Sequence, residues 1–526
     1  MAKKKGKGFL VAAMIWLAII GALAVAARCF ILPYFKTELE DETGSKSRYK
    51  KEVIIAADSF SGYCVFRSPI LAKELKSQGI KLTIQDDNAD YAARMKALKK
   101  GKIQLAVFTI DSFIAAGAKL GKFPATIVMV IDETKGADAV ISYSESVSSI
   151  QDLDHADARI VLTPQSPSEF LARTIIAHFS LPSLPEKWWI EADGASEVYR
   201  KFMAADHGDK RAYVLWEPYV SKALEAPGAH LLLDSSKLKG YIVDVLVAER
   251  EFLRDNPETV KAVIATYFRA SYSYSQKTNG MQALVLQDAK ATGTEDLTEA
   301  LSEKLVQGIE WKNTLENYAY FGLLSVQDAG QLQHLEDVIA NITDVLVKTG
   351  TIDSDPLGGK ANKIFFDKIV GELQAADFHP AKKLNVIEGV GLGPDDLEQG
   401  RVDSPLRALS DEEWDKLVPV GQMRIKPISF GRGTARINIQ SQRDLDELAD
   451  KLEVMPQYYV VVIGHARAEG DPEANKLLAQ ERADEAAKEL SQAGVEGHRI
   501  KVKAAEPSQK GGVAQSVSFI LGQIAY

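Results

Sequence analysis

The chain has 526 residues, 46% hydrophobic and 26% charged, with a net charge of -9. That length exceeds one hydrophobic core and predicts two or more folded units, while the ordinary composition excludes wholesale disorder and a polytopic membrane protein. The acidic balance, with Lys/Arg runs confined to the first seven residues and short helical patches, excludes nucleic acid as a partner.

After Lys3, Lys4, Lys5 and Lys7, the stretch Phe9–Ala27 runs 19 residues without a charge. As a helix it spans roughly 28 Å, close to the thickness of a bilayer core. Basic residues ahead of the run place the N-terminus in the cytoplasm and everything after Arg28 outside. Ala22-Leu23-Ala24 and Ala24-Val25-Ala26 offer signal-peptidase-like sites, but the run exceeds the roughly 7–15 residues of a signal core, so a retained anchor is expected. Arg28 before Cys29 does not suit a lipoprotein site. Residues 1–33 therefore read as a basic tip and single transmembrane anchor in the inner membrane, with the body in the periplasm.

From Val53 onward, β-rich runs alternate with helical patterns. Strands are predicted at 53–57, 81–85, 103–108, 126–131, 159–163 and 212–216, with helices after Ser68 and Ser168 and from Asn256-Pro257. Ser68-Pro69 is a helix start, and Gly79 and Gly101 stand where helices should end. This alternation predicts an α/β module over residues 47–380. Residues 381–416 turn to Gly, Pro and acids and read as a linker. Their glycines at 389–393 lack the preceding strand that a dinucleotide loop needs. Residues 417–526 predict a small α+β domain: strands near Ile425–Phe430, at 458–465 and near Val517–Leu521, and helices at about 442–451 and 475–492.

In open α/β sheets a ligand sits where strands end, which places Ser59, Thr109, Gly136 and Ser166 on the walls of a crevice. Ser59–Gly62 and Gln165–Ser168 start helices and offer N–H groups to a sulfonate, carboxylate or phosphate; alternatively, Ser166 or Ser168 caps its own helix. The eight histidines are scattered without metal-ligand spacing, and no nucleophile and base form a pair. His178, His379 and Trp188-Trp189 read as core or surface residues. Cys29 and Cys64 form no disulfide framework and no C-x-x-C motif, and Cys64 has no basic neighbour before Arg67. No enzyme, metal or cofactor is expected.

Asp58-Ser59-Phe60-Ser61-Gly62, Thr109-Ile110-Asp111-Ser112-Phe113, the stretch Ile131–Asp138, Trp216-Glu217-Pro218-Tyr219 and Gly240–Ala248 occur in an order that resembles the nitrate/sulfonate/taurine-type (NMT1/SsuA-like) solute-binding proteins of ABC importers. The resemblance implies a bilobed periplasmic-binding-protein fold of type II closing over a small molecule. It also implies ligand contacts at Ser59, Phe60, Ser61, Gly62, Thr109, Asp111, Gly136, Asp138, Ser166, Trp216 and Glu217. Asp111, Asp138 and Glu217 turned towards a ligand, with Trp216 to stack on it, suit a zwitterion or amine better than nitrate or plain sulfate, so the expected ligand is a zwitterion, an amine or a sulfonate-like molecule. The alternative is that these acids cap helices or bind Lys135 across the hinge. The clustered His and Cys residues of pyrimidine-synthesising relatives are lacking.

Ile463-Gly464-His465-Ala466-Arg467 through Asp471, followed by Asn475–Ala483, resembles an OmpA-like domain, the module that grips peptidoglycan in many envelope proteins. The resemblance points to contacts at the corresponding positions Arg467, Asn475 and Arg482, of which Arg482 alone matches the residue pair that holds diaminopimelate in the family. Arg467 stands where the family usually carries Asp, and Gln515-Ser516-Val517 where it carries Asn-Arg-Arg. Together these features predict a membrane-anchored solute-binding protein, with a permease as a partner if it delivers and a sensing role if it does not. The rival expectation is an envelope tether whose bilobed body binds proteins.

Overall fold

The computed structural model describes residues 49–524 apart from 294–296, 325–332, 382–405, 432, 466–469 and 507–516. The expected anchor at Phe9–Ala27, the glycines at 389–393 and Arg467 lie outside the described residues. Among the described residues no helix is long and apolar enough to cross a membrane.

The first lobe begins with β1 (Lys51–Ala56), α1 (Pro69–Ser77), β2 (Ile80–Gln85), α2 (Tyr91–Lys99), β3 (Leu105–Thr109), α3 (Ile110–Leu120) and β4 (Ala125–Thr134). Local chemistry sets several of these limits. Ser68 Oγ accepts the Leu71 N–H at 3.3 Å ahead of Pro69, while Gly79 and Gly101 take φ of +78° and +63° just past α1 and α2. Every residue of β4 is buried, as expected of a strand covered on both faces.

The chain then crosses into a second lobe: β5 (Asp138–Tyr143), β6 (Arg159–Leu162), α4 (Pro167–His178), β7 (Trp189–Glu191), α5 (Gly194–Met203), β8 (Arg211–Trp216), α6 (Tyr219–Leu224) and β9 (Ala229–Asp234). It returns as β10 (Val243–Glu249), followed by α7 (Arg250–Asp255), α8 (Pro257–Ser275), α9 (Gly280–Thr292), α10 (Glu299–Gln307), β11 (Ile309–Trp311), α11 (Thr314–Tyr320), α12 (Leu335–Lys348) and α13 (Lys368–Ala375). The first sheet runs β11-β4-β10-β3-β1-β2 and the second β7-β6-β8-β5-β9. Because β10 re-enters from the other lobe, it slots between β3 and β4 antiparallel to both. Helix α12 packs on α3 of the first lobe and on α4 of the second.

The C-terminal domain comprises α14 (Asp411–Asp415), β12 (Val418–Gln422), α15 (Ile439–Glu453), β13 (Tyr459–Gly464), α16 (Pro472–Gln492), β14 (Ile500–Ala504) and β15 (Val517–Gln523), in sheet order β12-β15-β13-β14. A Cβ on Gly464 would fall 1.9 Å from the Ala479 carbonyl, so only glycine lets β13 and α16 approach this closely. The strand expected near Ile425–Phe430 is instead Val418–Gln422; Pro427 interrupts the expected run, and Pro419 is tolerated beside an irregularity in the register with β15. This domain docks on the second lobe through backbone bonds, Ser180 N–H to Gln422 O at 2.8 Å and Arg424 N–H to His178 O at 2.7 Å, with Lys239 N–H to Val454 O at 2.8 Å.

Candidate functional site

The hinge is built by the residues that cross between lobes. Gly136 adopts φ +110°, open to glycine, and its N–H donates to Ser235 Oγ at 2.7 Å on the returning crossover. Lys135 N–H donates to Gly308 O at 2.8 Å, which ties the start of β11 to the same point. Beneath it, Lys312 Nζ bonds Glu133 at 2.9 Å and Glu310 at 2.8 Å, and Glu133 also accepts from Gly240 N–H at 2.6 Å. Burial would raise Glu133, but Lys312 and Lys135 hold its carboxyl down at about 2.

Between the lobes lies a cavity of about 630 Å³. The first lobe contributes Tyr91, Asp111, Ser112 and Lys119; the second contributes Gln165, Ser166, Glu169, Phe170 and Arg173; the end of α12 and residues 350–354 close a third side. Of the ligand residues expected from sequence, Asp111 and Ser166 line this space. Asp111 opens α3, is 5% exposed, and one of its carboxyl oxygens has no partner. Burial pushes it up to about 7 against the pull of the Thr109 hydroxyl and nearby N–H groups. The Thr109 and Ser112 hydroxyl oxygens lie 2.8 Å apart beside it.

Asp138, 4% exposed at the start of β5, is also raised to about 7 by burial, with Asp111 and Glu217 adding repulsion. These two acids, one from each lobe, therefore lie in each other's field. Trp216 pairs with Asp138 across β8 and β5 and is partly exposed. Glu217 accepts from Ser221 Oγ at 2.8 Å and Ser221 N–H at 3.2 Å, so it holds the first turn of α6.

The helix-start loops bear on the choice between anion and cation. Gln165 N–H, ahead of α4, is taken by Glu169 at 2.6 Å, and Glu169 is paired with Arg173 at 2.7 Å; the chain thus supplies its own carboxylate to that helix start. Ser166 Oγ donates to Thr163 O at 2.7 Å, and Ser168 Oγ to Val214 O at 3.1 Å, so neither serine caps α4. In the Ser59–Gly62 turn, Phe60 N–H donates to Asp58 at 3.1 Å, while the Asp58 and Phe60 carbonyls accept from Arg67 at 2.8 and 2.9 Å. Ser59 is exposed, Ser61 half-buried, and Gly62 buried against Asp132. Cys64 is fully buried and its thiol is pushed up by burial.

Sequence reasoning missed Glu169, although Ser166-Pro167-Ser168-Glu169 carries the Ser-x-x-Glu spacing of a capping box. It also missed Tyr91, Arg173 and the 350–354 turn, for which no local signal existed. In the C-terminal domain Arg482 is 4% exposed; its Nε donates to Thr434 O at 3.0 Å and its guanidinium lies 5.1 Å from the Phe430 ring centre. Asn475 is half-buried in the first turn of α16.

Known proteins complete the picture. The family NMT1/THI5 like matches residues 75–277, and the OmpA family matches residues 429–515. No curated protein matches the chain. Similar solved structures include the aliphatic sulphonate binding protein SsuA of Escherichia coli, at 17% identity and TM-score 0.44, covering 61% of this chain and 99% of that one. The alkanesulfonate-binding SsuA of Xanthomonas axonopodis pv. citri, bound to MOPS, gives 17%, 0.44, 59% and 98% for the same measures. The nitrate-binding protein NrtA of Synechocystis gives 12%, 0.46, 64% and 89%. Residues 75–277, within the two-lobed α/β body, thus match the NMT1/THI5-like family, and residues 429–515 of the C-terminal domain match the OmpA family.

Proposed function

We propose that the chain is an extracytoplasmic solute-binding protein that closes its two lobes on a small organic molecule bearing an ammonium group. The observation that carries this reading is the Asp111 carboxyl, buried, with one oxygen short of a partner and lining the interlobe cavity, while Asp138 of the other lobe lies in its field. Buried carboxyls without a cation cost folding free energy, and a ligand amine removes that cost by pairing with them. A bare anion finds no such welcome, because Glu169 already occupies the start of α4. Trp216, Glu217 and the Ser59–Gly62 turn frame the same cleft in this reading. The apolar run Phe9–Ala27 anchors the body, and a permease receives the ligand.

The C-terminal domain is proposed to meet the envelope, with peptidoglycan contacts at Arg467, Asn475 and Arg482 weakened because Arg482 is engaged within the chain. The test is thermal denaturation of the purified full chain with amines, amino acids, sulfonates and nitrate. Stabilisation by amine-bearing compounds alone supports the reading; stabilisation by sulfonates or nitrate alone overturns it.

A further inference from the structure

We propose that the ligand is a primary amine with an uncharged apolar body, its ammonium at Asp111 and its hydrocarbon part laid along the alanine face of α3. This inference rests on reading the interlobe cavity as the ligand site.

Helix α3 has two unlike faces. Phe113, Ile114 and Gly117 are buried, and a Cβ on Gly117 would fall 2.1 Å from the Phe123 ring, so this face is closed against the first lobe. Asp111, Ser112, Ala115, Ala116 and Lys119, spaced as one side of a helix, line the cavity instead. From Asp111 to Lys119 the helix rises roughly 12 Å. Exposure grows along that rise: Asp111 and Ser112 are buried, Ala115 and Ala116 half-buried, and Lys119 exposed. The face therefore runs from a carboxyl at the inner end, over alanines, to the mouth.

The remaining walls match it. Ala92 of α2, Phe170 of α4, Leu346 of α12 and Ile352 add apolar surface around the same space. The polar groups of the second lobe are engaged within the chain: Glu169 holds the Gln165 N–H and Arg173, Arg173 also donates to Thr349 O at 3.0 Å, and Ser166 Oγ donates to Thr163 O. Asp111, 5% exposed, keeps an oxygen without a partner, so a single cationic donor is what the inner end lacks. At the mouth Lys119 and Asp353 are both exposed and opposite in sign. Solvent screens both, and a charge of either sign on a ligand tail gains little there.

The space of about 630 Å³ has room for about twenty waters, and a lone small ion would leave most of it filled with water. Water lying on alanine, leucine and phenylalanine surface is what an apolar body displaces with gain. The short alanine side chains keep the trough open, since a longer side chain at 115 or 116 would project into it.

The experiment is calorimetric titration of the full chain with propylamine, butylamine, hexylamine, hexamethylenediamine and ε-aminocaproate. Each buried methylene tightens binding about fourfold, so hexylamine should bind at least about tenfold more tightly than propylamine, with a more negative heat-capacity change. The diamine and the amino acid should each bind more weakly than hexylamine, because a charged tail forfeits the apolar contact. Ala116→Leu should lower the ratio of hexylamine to propylamine affinity by filling the trough. Should that variant fail to fold, the chain-length series in the parent decides. Equal affinities for the three alkylamines, or a preference for either doubly charged compound over hexylamine, would overturn the apolar body while leaving the cleft reading intact. Absence of binding by every amine would sink the cleft reading, and this inference with it.

Discussion

Asp132 and Glu133 are neighbours at the end of β4, and strand alternation turns them to opposite faces of the sheet. On one face Glu133 meets Lys312, Lys135 and the Gly240 N–H and is held ionised. On the other, Asp132 meets a second carboxyl and a glycine turn; burial and, at Asp244, the neighbouring acid push both of that pair upward. The same difference separates Glu169, satisfied by Gln165 and Arg173, from Asp111, which keeps an oxygen without a partner on the facing wall. A satisfied buried acid is part of the scaffold. An unsatisfied one is held in place at a cost by that scaffold, and so is a candidate for contact with a ligand.

The comparison breaks most visibly at Lys312. Lys312→Met strands Glu133 as an uncompensated buried charge and should cost about 3–5 kcal/mol in denaturant unfolding, with the Lys312→Met/Glu133→Gln pair recovering part of it. An unchanged midpoint for the single variant would show that Lys135 suffices. Asp111→Asn tests the opposite kind of acid. A ligand at 100 times its Kd adds about 2.7 kcal/mol to the parent, and the variant should lose most of that gain without losing its fold. If the gain persists, the ligand does not meet α3.

Titration sharpens the contrast further. Asp111 and Asp138, raised to about 7 when folded, hold protons that the unfolded chain gives up near pH 4. The folded state binds more protons between those values, so the empty protein should lose stability as pH rises from about 4 to about 7, by up to about 1.4 kcal/mol per pH unit per group. The gain from an amine ligand should grow over the same window. Glu133 has the opposite sign: its contribution is complete above about pH 4.5 and disappears as pH falls towards 2. Melting curves at several pH values, with and without ligand, check both; a ligand gain independent of pH would contradict the assignment. The smallest effect is expected at Glu169→Gln, which weakens the start of α4 and the Arg173 pair by about 1 kcal/mol.

Much of this molecule was written locally. Ser68-Pro69, Gly79 and Gly101 marked helix ends, because capping and left-handed φ depend on one or two residues. β-rich runs at 103–108 and 126–131 marked β3 and β4 as strands, and the order of short loops was enough to suggest two lobes. Asp111 and Asp138 were picked out through the resemblance to solute-binding proteins, which turns both towards a ligand.

Other features had no local signature. The antiparallel insertion of β10 brings Asp244 against Asp132, and α12 wedges between α3 and α4 so that residues 350–354 wall the cavity. The C-terminal domain locks to the end of α4 through backbone bonds at Ser180 and Arg424, which any side chains would have allowed. Periodicity reports which face of an element is buried, not what buries it. Which acids found a lysine and which found each other was decided by contacts between distant segments, and those alone set the charge of the cleft.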